Sequence, residues 1–345
     1  MSADVLTISP DSSPTPDSVL AVISEMNSIG LDGLRSKWSE VEQLDVGLEA
    51  IRFGPEPSKD RLHVVELSPF ANGLWDHRIV LGDMHHRQLQ QATNGDDEVT
   101  LTVIASPNGS GSFFVPKEGS IADISDEGIG FFTREVLRSV DRSAPSGLGR
   151  LALFGPSQAG AAALAGGSNE GVRKDYNVET IVDLMDPRVD TRSGYDLARA
   201  FASSGKEFAK DVADGALQPY QEALDDHSGL SFFAGALRRG HANYHLWQAL
   251  CSAQVASDLI ALQTTMENTV EISAADVLLA SGTNDPVSPA FKLQQQAKMG
   301  ARRLKNSGSV RVISVSNREH TLADNPAING QLFEIGVIIP MAEAA

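Results

Sequence analysis

A serine set among small residues stands at Gly155-Pro156-Ser157-Gln158-Ala159-Gly160, between an apolar run and a small-residue stretch of helical character. A serine hydroxyl attacks a carbonyl only when a base takes its proton and fixed donors receive the charge that develops on oxygen. A sharp turn from strand to helix serves both needs. It lifts the hydroxyl clear of the sheet and aims the following amide, that of Gln158, at the oxyanion. Such a turn requires small neighbours. Ala159 stands where glycine is usual, and Gly160 follows it directly. The base is expected at His320, in Asn317-Arg318-Glu319-His320-Thr321-Leu322. The carboxylate that holds its tautomer is expected at Asp285, in Ser281-Gly282-Thr283-Asn284-Asp285-Pro286-Val287. Both follow apolar runs, and the chain order Ser, Asp, His is the one a nucleophile elbow predicts. Asp186, also followed by a proline after an apolar run, is the alternative acid.

Residues so distant in sequence meet only if the fold gathers the ends of several strands. Seven strand-like runs are read at 48–53, 62–67, 99–105, 148–154, 178–184, 276–280 and 310–315, most of them ending in Gly, Pro, Asn or Ser. Helical patterns at 79–92, 126–140, 158–164 and 289–306 separate most of them. Alternating strands and helices predict an α/β fold with a largely parallel sheet, whose ligands sit at the carboxyl ends of the strands. Between 187 and 275 the alternation stops, and helical patterns at 195–212, 219–224, 230–239 and 244–266 predict a lid over those ends. Before the first strand, the proline-broken residues 1–16 read as a loose tail, followed by a helix from Asp17 and a second from Leu31 to Val46.

On these motifs the chain resembles the α/β-hydrolase superfamily with a helical cap, over roughly residues 48–340. His320-Thr321-Leu322-Ala323-Asp324-Asn325-Pro326 resembles the stretch that opens the family's last helix, and 101–112 the family's strand and glycine-rich loop before the elbow strand. The resemblance implies a core at 48–187 and 275–345, a cap at 188–274 and an N-terminal extension at 1–47. It implies a second oxyanion donor at Phe70, in Ser68-Pro69-Phe70, where the family often carries His-Gly and an apolar residue. It also implies a serine hydrolase that cleaves a carboxylic ester or thioester of a small-molecule acyl substrate through an acyl-enzyme. Carbon–carbon bond hydrolysis or acyl transfer on the same triad, or a non-catalytic binding protein of this fold, are the alternatives. Phe232 and Trp247 are expected to line the acyl pocket. No metal or organic cofactor is implied.

The bulk properties agree with that reading. A chain of 345 residues with 41% hydrophobic and 21% charged residues is ordinary for a globular protein. A net charge of −17 repels phosphate backbones and disfavours nucleic acid as a partner. No run approaches the roughly 18 apolar residues of a membrane span. The first residues lack a basic start and apolar core, so the expected location is cytoplasmic. The single Cys251 excludes an intrachain disulfide. His241 and His245 lie four apart on a predicted helix but lack a third ligand, and the adjacent His85 and His86 should point apart.

Overall fold

The computed structural model describes residues 4–8, 17–68, 76–93, 98–106, 114–119, 123, 129–144, 146–156, 158–184, 217–225, 276–285, 310–318 and 325–333. Its strands are β1 (Asp4–Ile8), β2 (Glu42–Gln43), β3 (Glu49–Phe53), β4 (Leu62–Leu67), β5 (Val99–Ile104), β6 (Arg150–Pro156), β7 (Asn177–Leu184), β8 (Asp276–Gly282) and β9 (Val310–Val315). The helices are α1 (Asp17–Lys37), α2 (Asp76–Ala92), α3 (Ile129–Ser143), α4 (Gln158–Ser168), α5 (Glu170–Asp175), α6 (Gln218–Asp225) and α7 (Pro326–Phe333).

All seven expected strands are present within two residues of their predicted bounds. They join one sheet of order β1-β9-β8-β7-β6-β4-β5-β3-β2. Counted from β2 as 1 to β9 as 8, that order is 1-2-4-3-5-6-7-8, the strand order of an α/β-hydrolase sheet. β3 runs antiparallel to both its neighbours, and every other pairing is parallel. Strands buried on both faces read as near-continuous apolar runs, and that is why β4, β5 and β6 were legible.

Alternate residues of each strand feed two cores. Val65, Leu67, Leu151 and Leu153 face α3 and α4, where they meet Phe131, Val136 and Ala163. Leu62, Val64, Ala152 and Phe154 face the other way, with Ile79 and Leu89 of α2 and Ile328 and Leu332 of α7. A third cluster lies outside α2, where Val22, Met26 and Leu34 of α1 pack on Val80 and Met84 of α2 and on Tyr220 and Ala223 of α6.

The N-terminal extension corrects the reading of a loose tail. Asp4–Ile8 is a strand that adds to the sheet edge, parallel to β9, with Val5 opposite Val312 and Ile8 opposite Val315. The stretch from Asp17 is two helical segments meeting at Gly30, whose φ of 69° is a left-handed value that glycine adopts without strain. The second segment ends at Lys37 and not at Val46, because Glu42–Gln43 pairs with β3. Trp38, read as a helical position, instead donates its indole N–H to the buried carboxylate of Asp83 at 2.6 Å. Of the expected cap, the helix at 219–224 is observed as α6. The patterns at 195–212, 230–239, 244–266 and 289–306 lie outside the described residues.

One buried histidine is part of the framework and not of any site. His63 on β4 is wholly buried and bonded to Thr102 Oγ1 at 2.8 Å. Burial, with a smaller contribution from the Arg52 guanidinium, pushes its imidazole down to about 3, so it stays neutral at neutral pH.

Candidate active site

The elbow is built by β6 and α4. β6 ends at Pro156 and α4 begins at Gln158, so a single residue, Ser157, links them in sequence. The chain turns so tightly here that a Cβ on Gly155 would lie 2.1 Å from the Ala159 carbonyl oxygen and 2.7 Å from the Gly160 nitrogen. Backbone meets backbone at this point, and only glycine fits. Ala159 is accommodated with its side chain buried, so alanine in the usual glycine position is no obstacle to the turn. As the first residue of α4, Gln158 has an amide without an intrahelical partner, at the helix end where partial positive charge accumulates. Ser157 itself lies outside the described residues. Gly155→Ala is expected to lower unfolding stability by about 3 kcal/mol, the upper range for overpacking, in a denaturant titration. A neutral result would mean that strand and helix can separate at the joint.

The turn that carries Asp285 is equally defined. The turn after β8 is stitched to the turn after β9. The Thr283 amide donates to Val315 O at 2.9 Å, the Asn284 amide to Arg318 O at 2.9 Å, and the Asn317 amide to Thr283 Oγ1 at 2.9 Å. Asn317 takes a left-handed φ of 58°, which asparagine tolerates better than most residues. Asp285 closes the first turn, with its amide donating to Gly282 O at 3.2 Å, and is 2% exposed. A solvated turn carboxylate would be exposed; this one is held inside. The second turn leads directly to residues 319–324, which carry His320 and lie outside the described residues, as do Phe70, Asp186, Phe232, Trp247, His241 and His245.

β4 lies between β5 and β6 in the sheet and, like them, ends toward the elbow. Ser68 follows β4 and donates its amide to Ile104 O at 3.0 Å. The next residues, 69–75, join it to α2 and include the expected oxyanion donor. The structure places the elbow, the Asp285 turn and the start of the His320 segment at the same end of the parallel strands β6, β8 and β9, with β7 between the first two. Among the described residues, no group of three or more His, Cys, Asp or Glu could hold a metal ion. Among the same residues, no helix is long and apolar enough to cross a membrane.

Sequence reasoning overlooked a polar cluster beneath this end of the sheet. Glu66 on β4, 1% exposed, accepts a hydrogen bond from His85 Nδ1 at 2.8 Å and lies 3.7 Å from Arg78 Nη1. The available signal was a carboxylate in a strand whose every residue is buried, which is tolerated in a core only when paired. His85 and His86 do point apart, His86 Nε2 meeting the Val99 carbonyl at 3.1 Å.

No protein-family model and no curated protein matches the chain. It is similar to a solved esterase of Pyrobaculum calidifontis, at 13% identity over 97% of this chain and 96% of that one, with a TM-score of 0.48. It is similar to a thioesterase domain from the curacin biosynthetic pathway, at 12% identity over 86% of this chain and 99% of that one, with a TM-score of 0.46. A puromycin-hydrolysing peptidase of Mycobacterium tuberculosis is similar at 14% identity over 85% of this chain, with a TM-score of 0.44, and the chain spans 38% of that protein's length. By its own strand order, its antiparallel β3 and the single-residue link after β6, the chain has the α/β-hydrolase fold.

Proposed function

We propose that the protein is a serine hydrolase that cleaves carboxylic esters or thioesters through an acyl-enzyme. Ser157 is the nucleophile, His320 the base and Asp285 the carboxylate that orients it. The observation that carries this reading is the elbow. A one-residue joint between a buried strand and a helix, with Gly155 pressed on the helix backbone, has no evident structural use beyond presenting the residue at the joint.

In the proposed mechanism, Ser157 Oγ attacks the acyl carbon while its proton passes to His320. The tetrahedral oxyanion is received by the amides of Gln158 and Phe70. It collapses with expulsion of the alcohol or thiol, which takes the proton from His320. Water then attacks the acyl-serine, assisted by the same imidazole, and frees the acid. The Asp285 carboxylate steadies the imidazolium. Residues 188–274 form the cap in this reading, with Phe232 and Trp247 in the acyl pocket. The packing of α6 on α1 and α2 supports a cap rooted beside the helices that flank the sheet.

The direct test is covalent. A fluorophosphonate should add one label per chain, found on the peptide containing Ser157, and an intact protein that takes no label would overturn the reading.

A further inference from the structure

We propose that Glu66, His85 and Asn329 form a buried relay that positions the base by fixing the helix that follows it, an inference that rests on the reading of His320 as base. The three residues come from three elements, β4, α2 and α7, and are 1%, 0% and 0% exposed. The Asn329 side-chain amide donates to His85 Nε2 at 3.1 Å, and His85 Nδ1–H donates to Glu66 Oε2 at 2.8 Å. The direction of donation therefore runs from α7 through α2 to the central sheet, with Arg78 as counter-charge to the carboxylate. Phe154 and Phe333 enclose the ring edge-on, at centroid distances of 5.5 and 5.4 Å. Both ring nitrogens are engaged and the ring is sealed from solvent, so His85 does not exchange protons with a substrate. It acts by position.

What it positions is α7. This helix begins at Pro326, six residues after His320. A second bond from α2 holds its first residue, Gln88 Nε2 donating to the Pro326 carbonyl at 2.7 Å. The Asn325 side chain caps the helix by accepting from the Ile328 amide at 3.2 Å. Gly330 of α7 sits so close to α1 that a Cβ would come within 2.6 Å of Val19 Cγ2. The segment bearing His320 is thus anchored at its start by the Asp285 turn and at its end by α2.

An apolar trio would fill this space with comparable stability, because buried polar groups rarely gain more than they lose in desolvation. Apolar contacts, however, allow a helix to slide or roll. The Asn329–His85 and Gln88–Pro326 bonds attach α7 to α2 at two points and so fix both its height and its rotation, and the His85–Glu66 bond ties that attachment to the sheet. Catalysis is sensitive to that, since a misplacement of about 1 Å costs about 100-fold in rate.

The test uses Asn329→Leu, which keeps the volume and removes the donor, and Asn329→Asp, which replaces the donor with an acceptor. Readouts are the fluorophosphonate labelling rate and kcat and KM on p-nitrophenyl butyrate across pH. Asn329→Leu should lower the labelling rate and kcat by about 10- to 100-fold with little change in KM. Asn329→Asp faces Nε2 with an acceptor, so the contact needs one more proton, shared between the new carboxylate and Nε2. Of the charged groups around the ring, Glu66 and the new carboxylate favour that proton and Arg78 opposes it. Turnover of this variant should be restored at low pH and lost as that added proton leaves, a pH step that the substitution introduces. Wild-type rates in folded Asn329→Leu, or a pH profile for Asn329→Asp identical to wild type, would overturn the relay. If Asn329→Leu does not fold, the Asn329→Asp profile decides alone. His320→Ala separates this from the parent reading: turnover surviving in His320→Ala defeats the base assignment, whereas turnover lost there but normal in the Asn329 variants defeats only the relay.

Discussion

Ser157→Ala is expected to lower turnover of an activated ester by about five to six orders of magnitude, the scale seen when a serine nucleophile is deleted from an intact triad. Removing one oxygen leaves the Gln158 amide and the end of α4 in place, so residual catalysis above water should persist. Alanine is compatible with either side of the joint, and the tight contacts described there are those of Gly155 against Ala159 and Gly160. The melting temperature should therefore stay within a few degrees of wild type. Retained turnover in a folded Ser157→Ala, with labelling unchanged, would place the reaction on another group. Collapse of the fold would instead mean that the hydroxyl holds the turn.

Much of the architecture was open to inspection because its signals are local. β4, β5 and β6 are apolar runs buried on both faces, and each breaks off at Ser, Pro or Gly. β1 was missed because its partner, Val310–Val315, lies at the other end of the chain and a five-residue run beside a proline-rich stretch carries no local mark. The overextended second helix has a similar cause. Trp38 continues the helical spacing, its amide bonded to Leu34 O, but Glu42–Gln43 is drawn into an antiparallel pair with β3. The strand-to-helix joint around residue 157 and the turn at Asp285 were legible because glycine, proline and short polar residues end the apolar runs of β6 and β8. The Glu66–His85–Asn329 relay was not. Its last link spans 244 residues, and each member taken singly looks like an ordinary strand or helix position.

The acid assignment carries the second large effect. Asp285→Asn should reduce kcat by about three to four orders of magnitude, because an amide stabilises the wrong imidazole tautomer and cannot steady the imidazolium. The structural case rests on the two turns. Three hydrogen bonds, from Thr283, Asn284 and Asn317, tie the Asp285 turn to the one entering the His320 segment. A carboxylate 2% exposed in that position is costly unless the fold uses its charge. Asp186 follows β7, whose residue Leu184 is paired with Ala280 of β8, so its strand is one place further from β9 than that of Asp285. Asp186→Asn should accordingly leave kcat within about tenfold of wild type, in line with a change outside the triad. Both variants are to be compared at saturating p-nitrophenyl butyrate, with a melting curve for each so that unfolding is not mistaken for lost chemistry. A thousandfold loss in Asp186→Asn beside near-normal turnover in Asp285→Asn would move the acid to the end of β7 while leaving Ser157 and His320 in their roles. Equal, small losses in both would mean that the imidazole is oriented without a carboxylate.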